Sequence, residues 1–456
     1  MMLDLPAQIL NVLALFSPLF SQPVYRNVVQ LFLGHILCKN RRTIADILRC
    51  LHLKNLKNFS KFHWVFSGAR WSSLQGAKIL FVTLIKLVPL DSELFLIFDS
   101  TLERRKGPKI RSLARQRDAV RSSKDKKVLT IGLHWLVCAV NLQLPLTKGF
   151  WALPFLSILM PPKRPLSSSK NYKDLGGKRR YKTIPAWSCQ VIHLLHRWLH
   201  GARRITVVAD SAFACFDILY TCLKRKINII SRLRLDARLY DFLPKVITEK
   251  RGRKRVAGRV LPKLSELAKR DITEWQKTTV RWYGGKTKTL HIQTGKCLWY
   301  YVGFCPVPIN WVLIFDATQK TPVALFSTDM THSPEQIIES YVCRWPLEVT
   351  FEESRRHLGV ETQRQWSDKA IERTTPAILA SFSIIVLMGL DLSRSRGENP
   401  RIQKSRWYKK EHLTFSDILA YVREPIIKAK LKTLLGKNAE RGKINLQSLV
   451  EEIAAA

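Results

Sequence analysis

The stretch from Tyr341 to Arg355, YVCRWPLEVTFEESR, spaces a tyrosine, two arginines and a glutamate at helical intervals. Arg344 follows Tyr341 by three residues, Glu348 follows Arg344 by four, and Arg355 follows Glu348 by seven. Pro346 suits the first position of a fresh helix and would break an interior one, so Glu348 falls in a first turn. Seven residues is close to two turns, which puts Arg355 on the same face as Glu348. A carboxylate beside cations on one helix face suits metal-dependent phosphodiester chemistry. The carboxylate holds a hard divalent ion and the cations hold phosphates. An amphipathic helix with a solvated Glu–Arg pair gives the same spacing without chemistry, so the rest of the chain must decide.

Two further carboxylates close strand-like runs. ELFLIFDS is continuously apolar up to Asp99, which fits a buried strand with the carboxylate at or near its end. RRITVVADSAFACFDILYTCLKRKINIISRLR reads as a strand (Ile205–Ala209), a helix to about Arg225, and a strand (Ile227–Ile230). That βαβ pattern implies parallel neighbours and a right-handed crossover. Asp210 then sits at a strand's C-terminal end, where α/β sheets place their chemistry, or caps the following helix. Mg²⁺ takes oxygen ligands, and a pair of ions about 3.5–4 Å apart activates an attacking water or 3′-hydroxyl and stabilises the leaving oxygen. His193, His196 and His200 share one helix with no interleaved acid or cysteine and read as a packed face, not a metal site.

With 76 Lys+Arg against 35 Asp+Glu, the formal net charge is +41 over 456 residues. Such an excess repels itself unless a polyanion is the usual partner, and nucleic acid is the first candidate, an anionic membrane surface the second. At 46% hydrophobic residues the chain buries a full core and is not a disordered basic tail. Nine cysteines without a CxxC pair argue against zinc ribbons and a disulfide framework, and fit a reducing cytosol. The opening MMLDLPAQ lacks a basic n-region, so no signal peptide is expected. The longest apolar run, Ala377 to Leu390, is too short to span a bilayer and reads as a buried core helix. A cytoplasmic protein with no membrane partner is expected.

The elements that must hold these residues divide the chain into five. Residues 1–90 are helical, with a helix-turn-helix around 42–70 that would read DNA, or a plain helical cap on the remainder. Residues 91–240 begin an α/β unit. Residues 241–330 read as short strands separated by turns, an inserted antiparallel β subdomain. Residues 331–392 complete the α/β unit and carry Glu348, and Ser333 and Pro334 open their first helix. Residues 393–456 form a helical appendage ending in a helix pair near 415–436 and 444–454. Lys and Arg cluster in 104–127, 163–182 and 249–263, and the last includes Arg251, Arg253, Lys254 and Arg255. These read as solvated loops or as phosphate contacts along a duplex.

Asp99, Asp210 and Glu348 in this order, with the FDST at 98–101, the VVADSAF at 207–213 and the spacing of Tyr341, Arg344 and Glu348, resemble the DDE transposases of bacterial insertion sequences. The resemblance is to the cut-and-paste group with the signature Y-(2)-R-(3)-E-(6)-K, with Arg355 where Lys is usual. It implies a ribonuclease H-like mixed α/β sheet flanked by helices, with a β-strand insertion before the last Glu. It implies Asp99, Asp210 and Glu348 as catalytic ligands of Mg²⁺ or Mn²⁺, as two ions. It further implies DNA-phosphate contacts by Tyr341, Arg344 and Arg355. Trp345 either stacks on a displaced base or packs in the core. Cleavage at terminal inverted repeats and joining to target DNA, by a homodimer in a synaptic complex, would follow. A non-catalytic DNA-binding relative and a nuclease without joining activity are the alternatives.

Overall fold

A computed structural model of the chain describes residues 4–39, 41–118, 121–123, 125–147, 149–163, 181–243, 255–269, 275–316, 318, 321–407 and 409–435. Within them eleven strands join one mixed sheet. They are β1 (Leu94–Arg104), β2 (Ala114–Arg117), β3 (Leu129–Gln143), β4 (Phe150–Met160), β5 (Ile205–Ala209), β6 (Asn228–Leu233), β7 (Leu239–Tyr240), β8 (Gln276–Arg281), β9 (Thr287–Trp299), β10 (Val307–Phe315) and β11 (Val323–Ser327). The spatial run β4-β3-β1-β5-β6 has β1, β3 and β4 antiparallel in succession and β5 and β6 parallel to β1. This is the ribonuclease H-like arrangement.

Central strand β5 reads ITVVA, the nearly continuous apolar run of a parallel strand covered on both faces. All five residues of β5 are buried. β4 carries Pro154, which an edge strand tolerates, and the opposing β3 shows a register shift between Cys138 and Ala139 at that level. The strands of the 241–330 segment continue the same sheet. β11 pairs antiparallel with β6, β10 with β11, and β9 with β10, so the sheet continues without a seam. The physical reason is that β6 would otherwise present an open row of donors and acceptors. Two of the expected short strands merge in the single β9, whose Gly295 lies under the Trp311 ring, where any Cβ would collide at 2.7 Å.

The helices are α1 (Ala7–Ala14), α2 (Gln22–Leu37), α3 (Ile44–Cys50), α4 (Ser60–Ser67), α5 (Ser73–Ile85), α6 (Ile184–Leu199), α7 (Phe216–Lys224), α8 (Leu264–Leu267), α9 (Pro334–Val342), α10 (Pro346–His357), α11 (Asp368–Arg396) and α12 (Phe415–Leu435). Helices α2 to α4 share their own cluster around Leu31, Ile47, Phe62 and Val65. Residues 51–59 separate α3 from α4, too many for the three- to four-residue turn of a helix-turn-helix, so the expected motif is a looser pair. Helix α11 is long and apolar enough to cross a membrane by length and composition, yet 78% of that window is buried inside the protein. It packs on β4, α1, α5 and α12 as the core helix. Most of the 163–182 segment and the helix expected near 444–454 lie outside the described residues.

Candidate active site

Asp99 does not end its strand: β1 runs on to Arg104, and Asp99 sits at its middle opposite Val137 of β3. What ends here is the pairing on the other edge. The parallel register of β1 and β5 closes at Phe98↔Ala209, so Asp99 and Asp210 follow side by side just beyond it. Asp210 caps the short 3₁₀ turn Ser211–Phe213, accepting the Ala212 N–H at 2.9 Å, and its carbonyl accepts the Ser231 hydroxyl at 2.7 Å. The expected cap is therefore present on this turn, while α7 begins after Cys215.

Glu348 comes from the other side. Ser333 and Gln336 form a reciprocal capping box that starts α9. Pro346 cannot continue that helix, so the chain turns through Cys343–Trp345 before α10 begins. The turn places Arg344 between β1 and α10. Its guanidinium donates to Asp99 Oδ2 at 2.7 Å and to Glu348 Oε1 at 2.7 Å. The Arg344 Nε is buried without a hydrogen-bond partner among the described residues. Burial pushes the Asp99 carboxyl up to about 6; Arg344 pulls against this, and the charges of Asp210 and Glu348 add to it. Burial opposes the charge on Arg344, yet Asp99 and Glu348 outweigh it and raise its pKa above the ordinary arginine range.

Tyr341 lies 5.9 Å under the Arg344 guanidinium, and burial raises its phenol. Trp345 is half exposed and meets Tyr283 edge to face at 5.8 Å. Tyr283 belongs to the β8–β9 turn, where Gly284 and Gly285 adopt φ of 70° and 75°. Burial raises the Tyr283 phenol, with Tyr341, Arg344 and Glu348 as its charged surroundings. The β8–β9 turn thus reaches Trp345, the neighbour of Arg344, through one aromatic ring. Tyr283 was not singled out from sequence; the Gly-Gly turn after WY was the available signal.

The remaining sequence candidates are placed as follows. Arg355 turns into the protein, bonding Thr101, the Leu102 carbonyl and Glu361. Glu352, one turn on from Glu348 and the reserve candidate for its place, is exposed and pairs with Arg356 at 2.9 Å. Arg255 is exposed, whereas Arg251, Arg253 and Lys254 lie outside the described residues. In the 104–127 segment, Arg104 and Arg105 are consumed by internal pairs with Asp118, Glu361 and Glu103.

Three carboxylates suit a hard divalent cation, and the Arg344 guanidinium already stands between two of them as a positive charge. Asp99, Asp210 and Glu348 are not gathered as closely as Glu93, Asp329 and His332 at the opposite end of the strands, the one group among the described residues whose ligand-type atoms all lie within 4.8 Å of one another. Its atoms are already engaged. Arg204 bonds Asp329 and pairs with Glu93 at 3.5 Å, Thr206 bonds Glu93, Asn228 and Thr331 bond Asp329, and Ser327 meets His332 at 2.9 Å.

Residues 15–289, more than half of the chain, match the family model described as DDE superfamily endonuclease. The matched span includes Asp99 and Asp210 and stops before Glu348. No curated protein matches the chain.

Proposed function

The chain belongs to the DDE superfamily endonuclease family, whose members are metal-dependent and act on DNA, and from that premise we propose that it is a transposase. In this reading it cleaves DNA at the ends of a mobile element and joins them to target DNA. The observation that carries it is the Arg344 bridge between Asp99 and Glu348, beside the position where Asp210 leaves its strand. Asp99, Asp210 and Glu348 would hold Mg²⁺ or Mn²⁺ as two ions. When bound, such a pair supplies charge stabilisation at the attacking and leaving oxygens.

The chain's own residues orient the DNA. Arg344 exchanges a carboxylate for a phosphate near the scissile bond, and Tyr341 supports its guanidinium from below. Trp345 and Tyr283 offer an exposed aromatic face on which an unstacked base would rest. Residues 1–90 read the element ends, 91–240 with 331–392 form the catalytic unit, 241–330 are the insertion, and 393–456 an appendage. The working form is a homodimer on paired terminal repeats, in the bacterial cytosol. Arg251, Arg253, Lys254 and Arg255 track the duplex backbone. Replacing all four with Ala flattens the log–log salt dependence of binding by up to about 3–4.

The test is linear DNA carrying the element's terminal repeats, incubated with protein and Mg²⁺ and scored for joined products. Cleaved ends that are never joined would reduce the activity to nuclease, and absence of both would remove the enzymatic reading.

A further inference from the structure

Beyond Phe98, β1 loses its parallel neighbour, because β5 stops at Ala209. The Leu94 N–H donates to the Arg204 carbonyl, so the even-numbered residues of β1 turn their backbone groups toward that edge. Downstream of Asp99 those groups find other partners. The Ser100 N–H donates to the Asp99 carboxylate at 2.7 Å. The Leu102 carbonyl accepts from Arg355 Nη2 at 3.4 Å, and the same nitrogen donates to the Thr101 hydroxyl at 3.0 Å. The Arg104 N–H donates to Glu361 Oε1 at 3.2 Å. Glu361 also accepts from Arg355 Nε at 3.3 Å and pairs with the Arg104 guanidinium at 3.4 Å.

Glu361 holds a left-handed backbone, φ 75°, which a residue with a side chain adopts at a cost. The fork of Arg355 suits this place better than an ammonium would. Its Nε and Nη2 reach a carboxylate on one side and a hydroxyl and carbonyl on the other, which a point cation cannot do at once. The clamp is displaced by two turns from Glu348 along α10 and by two to five residues from Asp99 along β1.

We propose that Glu361 and Arg355 are positioning residues that seal the open edge of β1 against α10 and so fix Asp99 relative to Glu348. This rests on the reading of those carboxylates as the metal site and gives Arg355 a role other than a phosphate contact. Neither residue touches the reacting atoms.

Mn²⁺ binding to the full-length protein, followed by the paramagnetic signal of the free ion, tests it. Glu361→Gln and Arg355→Lys each weaken binding about tenfold, as loss of a residue that orients a metal ligand does, while melting stays cooperative. Glu361→Gly, which relaxes the left-handed backbone but deletes the carboxylate, gives the same loss. Arg355→Gln leaves the salt slope of binding to a mixed-sequence linear duplex unchanged. Unaltered Mn²⁺ affinity in folded Glu361 and Arg355 variants overturns the proposal. So does a slope shallower by about 0.9 in Arg355→Gln, which would give Arg355 to a phosphate. Asp99→Asn and Glu348→Gln separate the two levels. If they too leave Mn²⁺ affinity unchanged, the carboxylate reading fails and the clamp with it; if they alone lower it, only the clamp fails.

Discussion

The two ends of the parallel strands carry the same parts list and opposite electrostatics. At the end where β1 and β5 begin, Arg204 bridges Glu93 and Asp329; at the end where β5 stops, Arg344 bridges Asp99 and Glu348. Around Arg204 the acids are saturated by Thr206, Asn228, Thr331 and His332. Although burial opposes ionisation there, those donors hold both Glu93 and Asp329 below their usual pKa. Around Arg344 the hydrogen bonds are fewer: among the described residues Asp99 has one backbone donor besides the arginine, and burial leaves it raised to about 6. A saturated cluster works as a latch between β1, β5, β6 and the start of α9. An undersaturated one keeps room for another ligand, as the proposed metal site requires.

The sharpest break between the two ends is in cleavage. Asp210→Asn eliminates strand cleavage, because a negative ligand of the proposed metal site is gone, while duplex binding is retained or tightened as repulsion of phosphates falls. Asp329→Asn leaves cleavage measurable once the protein is folded. Equal cleavage in both variants would erase the contrast.

Stability in metal-free buffer separates the ends with opposite signs. Asp99 titrates at about 6 in the fold against 3.8 unperturbed, so its ionisation opposes folding above that range. Asp99→Asn therefore stabilises the protein at pH 7 by about 1–3 kcal/mol, and the gain fades as pH falls toward 4. Asp329 is shifted downward, so its contribution is present above 3.8 and is lost as pH falls through the lower folded value. Asp329→Asn costs about 1–3 kcal/mol at pH 7, a cost that shrinks in acid. Denaturant melts at both pH values decide, and a stabilised Asp329→Asn would reverse the assignment.

The smallest effect concerns the bridging arginines. Arg344→Gln removes the internal cation, so Mg²⁺ raises the melting temperature more than it does in the wild type. Arg204→Gln lowers the melting temperature without changing the Mg²⁺ increment. An identical increment in wild type and Arg344→Gln would mean that the guanidinium is not in the ion's way.

Legibility in the sequence tracked how local each feature's cause was. The strand before Asp210, the break at Pro346 and the cap at Ser333 are set by residues within a turn of each other, and the fold places them where the periodicity does. The expectation of Asp99 at or near a strand end fails for a physical reason, since β1 runs five residues further. Past Asp99 the polar Ser100, Thr101, Glu103 and Arg104 look like a loop, yet Ser100 bonds the Asp99 carboxylate beside it, and Thr101, Glu103 and Arg104 bond side chains arriving from α10, α11 and the loop after α10. Strand β4 escaped notice because Pro154 interrupts it and its tolerance depends on an edge position that the sequence does not announce. Glu361 was invisible for the same reason, since its partner Arg104 lies 257 residues away.

The seamless junction of β11 with β6 has a consequence for anyone who would trim this protein. Cutting out the strands between 241 and 330 would not remove a detachable module. It would unhem the sheet, baring Ile230, Ser231, Arg232 and Leu233 as a ready template for a strand from another molecule. Ser231 is also the residue that holds the Asp210 carbonyl. A shortened chain would therefore expose a sticky border right beside its second aspartate, and strand exchange between copies would compete with folding from the first turnover of synthesis.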